Sequence, residues 1–354
     1  MSMKKLLYAT VAACVLLSSG PIFAGYTALY VFGDSLSDIG NFAAITPNPP
    51  TLPVEVPGPT TAYTLGRFTN ALNYVDYLAS GLGLSVTPSV LGGTDYAWGG
   101  ARTNTHALGP FASILGQVAT FTGLPGPADP LALYVVWGGA NNTRDAIQSV
   151  LLGGSFGAAQ SATVAAANDI QTALQQLYAE GARNFLVPNL PNLALTPAIN
   201  SLGSPAASAV ADGLSILFNT ALAADLVSLD TLHPDADIHT LNIYSFLNNL
   251  IANAAASGFT NTTSRCYTGN DSNFSTPPAV APSLTCANPD QYIFWDSIHP
   301  TSHTHFLVGQ AALAAVPEPA TLALLAVGLA GLGFSRRKQA VDPAAPTQGS
   351  CRGA

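Results

Sequence analysis

Short apolar runs recur along the middle of the chain and predict the strands of a sheet. Such runs lie at residues 28–32, 131–137 and 183–188, and residues 237–243 form a further predicted strand of mixed polarity. The run at 131–137 is continuous and includes β-branched residues, which is typical of a strand covered on both faces. Helical periodicity occupies residues 71–82, 161–181, 205–229 and 244–257. This repeated alternation predicts an α/β fold, a three-layer sandwich with a mainly parallel sheet and helices on both faces.

The helical segments also carry start, stop and packing signals. The second segment is expected to begin near Ser161, whose residue type caps helices, and to end at Gly181. The third segment carries an apolar stripe that we expect to be buried: Val210, Leu214, Leu217 and Ala221.

Composition narrows the class of protein. Charged residues make up 8% of the 354 residues, whereas an average soluble domain has about 25%. Hydrophobic residues reach 48%, which excludes a disordered chain and is typical of an exported, loop-rich protein. The formal net charge of −8 argues against nucleic acid as a partner.

The N-terminal residues have the order of a signal peptide. Two lysines precede an apolar stretch at residues 6–17, and residues 22–24 form a suitable cleavage site. We therefore expect residues 1–24 to be a signal peptide and residues 25–315 to form the main domain. One alternative is a membrane anchor, for which the stretch is short. Another is lipoprotein processing at Cys14, although the residues that follow it are apolar.

The first predicted strand ends in a triplet with catalytic potential, Gly33-Asp34-Ser35. These are ordinary turn residues, but open α/β folds place ligands at the carboxyl edge of the sheet. A serine there becomes a nucleophile when a base lies within hydrogen-bond reach. Asp296 and His299 are three residues apart, so the carboxylate can hold one imidazole nitrogen while the other meets Ser35.

A metal site is the alternative use of the same C-terminal residues. His299, His303 and His305, together with Asp296, have the residue types of a zinc site but lack the His-Glu-x-x-His pattern on a helix. We therefore expect no metal and no organic cofactor.

Four ordered blocks resemble the GDSL, or SGNH, family of serine esterases and lipases. They are Gly33-Asp34-Ser35-Leu36, residues 95–102, Gly139-Ala140-Asn141-Asn142 and residues 296–301. Residues 66–70, Gly-Arg-Phe-Thr-Asn, are also similar to a stretch common in one subgroup. Four blocks in family order are a more specific signal than any one of them alone.

The resemblance implies an SGNH-like hydrolase that cleaves carboxylic esters through an acyl-enzyme. Ser35 would attack the ester carbonyl, His299 would take and return the proton, and Asp296 would hold the imidazole. The oxyanion would face the backbone N–H of Ser35, Gly100 and the Asn141 side chain. At the position after Asn141, where the family often has Asp, this chain has Asn142.

The same residues leave other functions open. An acyltransferase or a polysaccharide O-deacetylase would use the same triad. A matrix or surface protein could keep the fold without turnover, although the intact triad argues against it.

The positions of the four cysteines indicate which of them can form a disulfide in an exported protein. Cys14 would leave with the signal peptide and Cys351 lies in the tail, so Cys266 and Cys286 remain. Export favours a disulfide between these two, and the alternative is a pair of free thiols.

The C-terminal end has a sorting pattern. Pro-Glu-Pro at residues 317–319 precedes an apolar stretch at 320–334 and three cations at 336–338. The order resembles the PEP-CTERM signal of Gram-negative bacteria, which an exosortase recognises. We expect residues 316–338 to anchor the chain transiently in the inner membrane, on the way to the cell envelope or extracellular matrix, with a disordered tail at 339–354. The alternative is an ordinary core helix.

Overall fold

The central sheet has four parallel strands in the order β1-β2-β3-β4. A computed structural model describes residues 25–45, 63–269 and 284–316. Its strands are β1 (Leu29–Gly33), β2 (Leu133–Trp137), β3 (Asn184–Pro188) and β4 (Asp237–Leu241), close to the four predicted strands. A smaller parallel pair joins β5 (Asn261–Arg265) to β6 (Tyr292–Phe294). The predicted signal peptide, sorting segment and tail lie outside the described residues.

The other edge of β1 is occupied by a segment for which the sequence predicted no strand. The Val31 N–H donates to the Thr94 carbonyl at 3.0 Å, and the Tyr96 N–H donates to the Val31 carbonyl at 2.7 Å. Farther along, the Trp98 N–H donates to the Gly33 carbonyl at 3.1 Å. This pairing carries the following glycine pair to the carboxyl end of β1, where Ser35 lies.

The described helices alternate with the strands of the main sheet. They are α1 (Asn41–Ile45), α2 (Tyr74–Gly81), α3 (Ile114–Thr122), α4 (Ala140–Leu151), α5 (Phe156–Glu180), α6 (Pro197–Asn200), α7 (Pro205–Leu232), α8 (Ile243–Ala252) and α9 (Ser302–Ala315).

Helices cover both faces of the sheet, as predicted. On one face α3, α5 and α7 pack over Phe32, Tyr134 and Phe185. On the other face α2 and α9 pack over Val31 and Val135. The three-layer α/β/α arrangement is therefore confirmed. Burial on both faces explains why β1 and β2 are almost wholly apolar, whereas the edge strand β4 is partly exposed and contains Asp237, His239 and Thr240.

The start of α5 differs from the prediction. The helix begins at Phe156 rather than near Ser161, because the Ser155 side chain accepts a hydrogen bond from the Ala158 N–H. A serine N-cap of this kind satisfies one of the free N–H groups of the first turn. Gly181 follows the helix at φ +124°, as the stop signal predicted.

The buried stripe of α7 is rotated from the predicted one. Its buried positions are Ala207, Ala211, Leu214, Ser215, Phe218, Leu222, Leu226 and Leu229. Only Leu214 of the predicted stripe is among them. Ala211 and Leu214 lie in one buried cluster with Ala159 of α5. Within the described residues α7 is also the one helix long and apolar enough to cross a membrane by length and composition.

Candidate active site

Ser35 lies in a tight turn at the carboxyl end of β1. The turn is closed by the N–H groups of Ser37 and Asp38, which both donate to the Asp34 carbonyl at 3.0 Å. Ser35 is 9% exposed, and its Oγ lies 2.8 Å from His299 Nε2. The structure therefore brings together two predicted site residues that are 264 positions apart in sequence.

Asp296 and His299 belong to the turn that follows β6. Asp296 Oδ1 accepts from the N–H groups of Ile298 and His299, at 2.8 and 2.7 Å. Its Oδ2 lies 2.7 Å from His299 Nδ1. With the Nδ1 proton donated to Asp296, Nε2 is left as an acceptor for the Ser35 hydroxyl.

The Asp296 carboxylate is stabilised as an anion although it is fully buried. Burial alone would raise its pKa, but the charge of His299 and the hydrogen bonds from His299 and Ile298 hold the pKa below its usual value. An ionised partner stabilises the imidazolium that forms when His299 takes a proton.

Tyr63 is a further contact to Asp296 that the sequence analysis missed. Its hydroxyl donates to Asp296 Oδ2 at 2.8 Å. The Tyr63 ring packs edge-on against Tyr267, which stacks on Trp295. Because the contact spans 233 positions, no local pattern could have revealed it.

A disulfide lies in the same aromatic cluster. Cys266 and Cys286 are bonded to each other, and both pack with Tyr267 and Trp295. The bond ties β5 to the segment that enters β6, behind the turn that holds Asp296.

Asn141 projects from the first turn of α4 and is 7% exposed. Its Nδ2 donates to the Ala101 carbonyl at 2.9 Å, and its Oδ1 accepts from Arg144 Nη1 at 3.2 Å. These two bonds fix the amide plane and leave the second Nδ2 hydrogen for another acceptor. Asn142 accepts from the Thr103 N–H at 3.0 Å and so joins α4 to the end of the glycine block, residues 95–102.

Gly100 lies in that glycine block with φ +80°, a conformation that favours glycine. The preceding Gly99 N–H donates to Asp38 Oδ2 at 2.8 Å. Gly100 does not line the cavity described below, whereas Ser35 and Asn141 do.

Two buried carboxylates hold the turn and the glycine block together. Asp38 also accepts from the N–H groups of Gly40, Asn41 and Phe42, and Asp95 accepts from Ile39 and Ala97. Burial raises the pKa of Asp38 to about 6, and burial together with the nearby Asp38 raises the pKa of Asp95 further above its usual value. No sequence pattern predicted this bracing role, because both carboxylates act through contacts between segments that are distant in sequence.

An apolar cavity opens beside Ser35 and His299. It encloses about 760 Å³, including its open mouth. Its apolar wall is formed mainly by Leu36, Trp137, Ala140, Pro191, Leu193, Ile243, Phe246, Leu247, Phe294, Ile298, Pro300 and Val308. The polar lining residues include Ser35, His299 and Asn141, an arrangement that suits an apolar chain attached to a polar reacting group.

The remaining histidines of the metal alternative serve packing. His305 Nδ1 accepts from the Tyr74 N–H at 3.3 Å, and burial together with the charge of His299 lowers the His305 pKa to about 3. His303 stacks on Phe259. In the part of the chain that the structure describes, no group of three or more candidate metal ligands occurs.

We expect Tyr63→Phe to lower kcat/KM at neutral pH about fivefold, because the hydroxyl that holds Asp296 in the position orienting His299 is lost and one hydrogen bond is worth about 1 kcal/mol. Losing that bond leaves more negative charge on Asp296 Oδ2, which strengthens its hold on the imidazolium. The acid limb of the kcat/KM profile should therefore move to higher pH. Steady-state kinetics across pH 5 to 9 measure this shift.

Tyr77→Phe is the matched control, because its hydroxyl bonds Ser302 Oγ at 2.9 Å and does not reach Asp296. That variant should keep the acid limb in place. If the acid limb of the kcat/KM profile does not move in Tyr63→Phe, Tyr63 contributes only packing and does not affect the charge on Asp296.

Comparison with known proteins identifies the family to which the chain is similar. Residues 29–312 match the family model of the GDSL-like lipase/acylhydrolase, and residues 315–338 match the PEP-CTERM protein-sorting motif. A GDSL esterase/lipase of Arabidopsis thaliana is 30% identical over 81% of this chain and 81% of its own length. Acetylajmalan esterase 2 of Rauvolfia serpentina is 28% identical over 80% and 88%. The crystal structure of the lipase Lip_vut3 from a goat rumen metagenome aligns at a TM-score of 0.36 and 14% identity, covering 82% of this chain and 97% of that one.

Proposed function

The chain belongs to the family of GDSL-like lipases and acylhydrolases and is a carboxylic ester hydrolase, and from this premise we propose that it is an exported serine hydrolase acting through Ser35, His299 and Asp296. The observation that carries the proposal is the continuous series of hydrogen bonds from Ser35 Oγ through the imidazole to Asp296, at 2.8 and 2.7 Å.

The reaction follows from these contacts. His299 Nε2 accepts the Ser35 proton as Oγ attacks the ester carbonyl, and the same nitrogen then protonates the departing alcohol. The Asn141 Nδ2 hydrogen and the backbone N–H groups of Ser35 and Gly100 stabilise the oxyanion. Water, activated by His299, then releases the acid from Ser35.

The cavity supports an apolar acyl group rather than acetyl. A wall of aliphatic and aromatic side chains gains little from an acetyl methyl but about 0.8 kcal/mol for each further buried CH₂ group. This favours lipid or medium-chain esters over acetylated polysaccharide.

The sorting motif supports a proposal for how the protein is exported and processed. A PEP-CTERM signal implies processing by an exosortase-type enzyme and suggests export in a Gram-negative bacterium. The finer proposal is that residues 1–24 are removed as a signal peptide and that the C-terminal segment holds the chain in the inner membrane until it is processed.

We expect kcat/KM for p-nitrophenyl esters to rise from acetate towards medium chains. Each CH₂ that enters the cavity should contribute up to about fourfold, the equivalent of about 0.8 kcal/mol. A panel from acetate to dodecanoate, assayed below the micelle concentration, measures the slope. Activity that peaks at acetate would contradict the acyl assignment, and no turnover of any ester would contradict hydrolysis itself.

A further inference from the structure

Arg144 is a cation at the mouth of the apolar cavity. It lies three residues after Asn141 on α4, is exposed to solvent, and lines the cavity together with Ser35 and His299. Its Nη1 donates to Asn141 Oδ1 at 3.2 Å, which leaves most of its five N–H donors for other acceptors.

Three other arginines in the described residues are neutralised by aspartates. Arg67 pairs with Asp76, Arg102 with Asp145 and Arg183 with Asp235. Arg144 has no carboxylate within ion-pair distance among the described residues. The charges of Asp145, Asp296 and Asp34 act on the Arg144 guanidinium from beyond ion-pair distance, so none of these carboxylates is bonded to it.

We propose that Arg144 binds an anionic group, such as a phosphate, on the alcohol portion of an ester whose acyl chain occupies the apolar cavity. The inference rests on the proposed function and names the substrate class of the same site. A planar guanidinium suits phosphate and carboxylate oxygens because it can donate two parallel hydrogen bonds.

The distance from the Arg144 guanidinium to the reacting group supports placing the anionic group on the alcohol portion of the ester. Nη1 touches the far side of the Asn141 amide, so the guanidinium lies within about 9 Å of an oxyanion bound to Nδ2. A phosphate a few bonds beyond the ester oxygen, as on glycerol, spans that interval.

The one carboxylate in the cavity wall does not oppose such a group strongly. Asp34 is 2% exposed, and one of its oxygens is occupied by the Leu36 N–H at 3.0 Å. Arg144 is exposed, so an anion approaching from solvent meets the guanidinium first.

The test compares two soluble substrates that differ by one phosphate, monohexanoylglycerol and 1-hexanoylglycerol 3-phosphate. In the wild type, we expect kcat/KM to be higher for the phosphate ester. Arg144→Gln should lower the ratio of the two kcat/KM values by about 10- to 100-fold, the range for a hydrogen bond to a charged group. Arg144→Lys should retain part of the ratio, and high salt should reduce it in the wild type.

Arg183→Gln is the matched control, because it removes the same charge from an arginine paired with Asp235 away from the cavity. It should leave the ratio unchanged. Any effect of Arg144→Gln on Asn141 acts on both substrates and cancels in the ratio.

An unchanged ratio in Arg144→Gln, even with both rates lowered, would overturn the inference and make Arg144 a support for Asn141 alone. A wild type that hydrolyses only the neutral ester would overturn it as well, while leaving the ester hydrolase intact. Failure to hydrolyse either ester would overturn the proposed function and this inference together.

Discussion

Ser35→Ala is expected to lower kcat for ester hydrolysis by about four to six orders of magnitude, the loss seen when a triad serine is removed. The variant retains the cavity and the oxyanion donors but has no hydroxyl to form the acyl-enzyme. Its fold should persist, because the change removes one small polar atom from a turn that is held by backbone hydrogen bonds to Asp34. Hydrolysis of a p-nitrophenyl ester, with circular dichroism and urea unfolding, measures both effects.

Ser37→Ala is the control for this variant. Ser37 lies in the same turn, is fully buried, and also uses its hydroxyl in a side-chain hydrogen bond, to Tyr74 at 2.8 Å. It is not in contact with His299, so activity should survive its loss at a cost of about 1 kcal/mol in stability. If Ser37→Ala lost as much activity as Ser35→Ala, the loss could not be assigned to Ser35 as the nucleophile.

Asp296→Asn is expected to lower kcat by about 10³- to 10⁴-fold with little change in fold, as for other triads in which the acid becomes an amide. The asparagine oxygen can still accept from the backbone N–H groups of Ile298 and His299. Its NH₂ group would then face His299 Nδ1 and favour the tautomer that has the proton on Nε2. That tautomer cannot accept the Ser35 proton.

Asp290→Asn provides the matched change of charge on an exposed residue of the preceding segment, and it should retain wild-type kcat. If Asp296→Asn keeps more than about a tenth of the activity, its carboxylate is not required to orient His299, and the proposed triad reduces to a pair.

The parts of the site that the sequence predicts are those marked by local spacing. Ser35 follows a strand, and Asp296 precedes His299 by three residues, so each half of the site carries its own pattern. The meeting of the halves was predicted from the chemistry that a serine nucleophile requires, and the family order of the blocks supported it. Nothing in either segment alone fixes the 2.8 Å contact between Ser35 and His299.

The parts that were missed depend on tertiary packing. Tyr63 reaches Asp296 across 233 positions, and its neighbours in sequence carry no sign of the contact. Arg144 differs from Arg67, Arg102 and Arg183 in having no aspartate within ion-pair distance, which its sequence neighbours do not reveal. Residues 94–98 include the polar Thr94 and Asp95, so the sequence did not indicate a strand there. The segment pairs with β1 and covers a strand edge that would otherwise be open.

The fold was predicted more completely than the site for a physical reason. Burial on both faces makes each central strand a continuous run of apolar residues, and such a run can be recognised from the sequence alone. The rotation of α7 was not predicted, because the stripes are of similar hydrophobicity and the choice between them depends on packing against other elements, such as the cluster of Ala211 and Leu214 with Ala159.

Labelling with a fluorophosphonate, followed by peptide mass mapping, tests the central claim most directly. The reagent phosphonylates a serine that a nearby base has activated, so the adduct should form on Ser35 and inactivate the protein with one-to-one stoichiometry. The same reaction should be much slower in His299→Ala. An enzyme that hydrolyses esters but acquires no adduct on Ser35, or acquires it on another hydroxyl, would contradict the proposed catalytic serine.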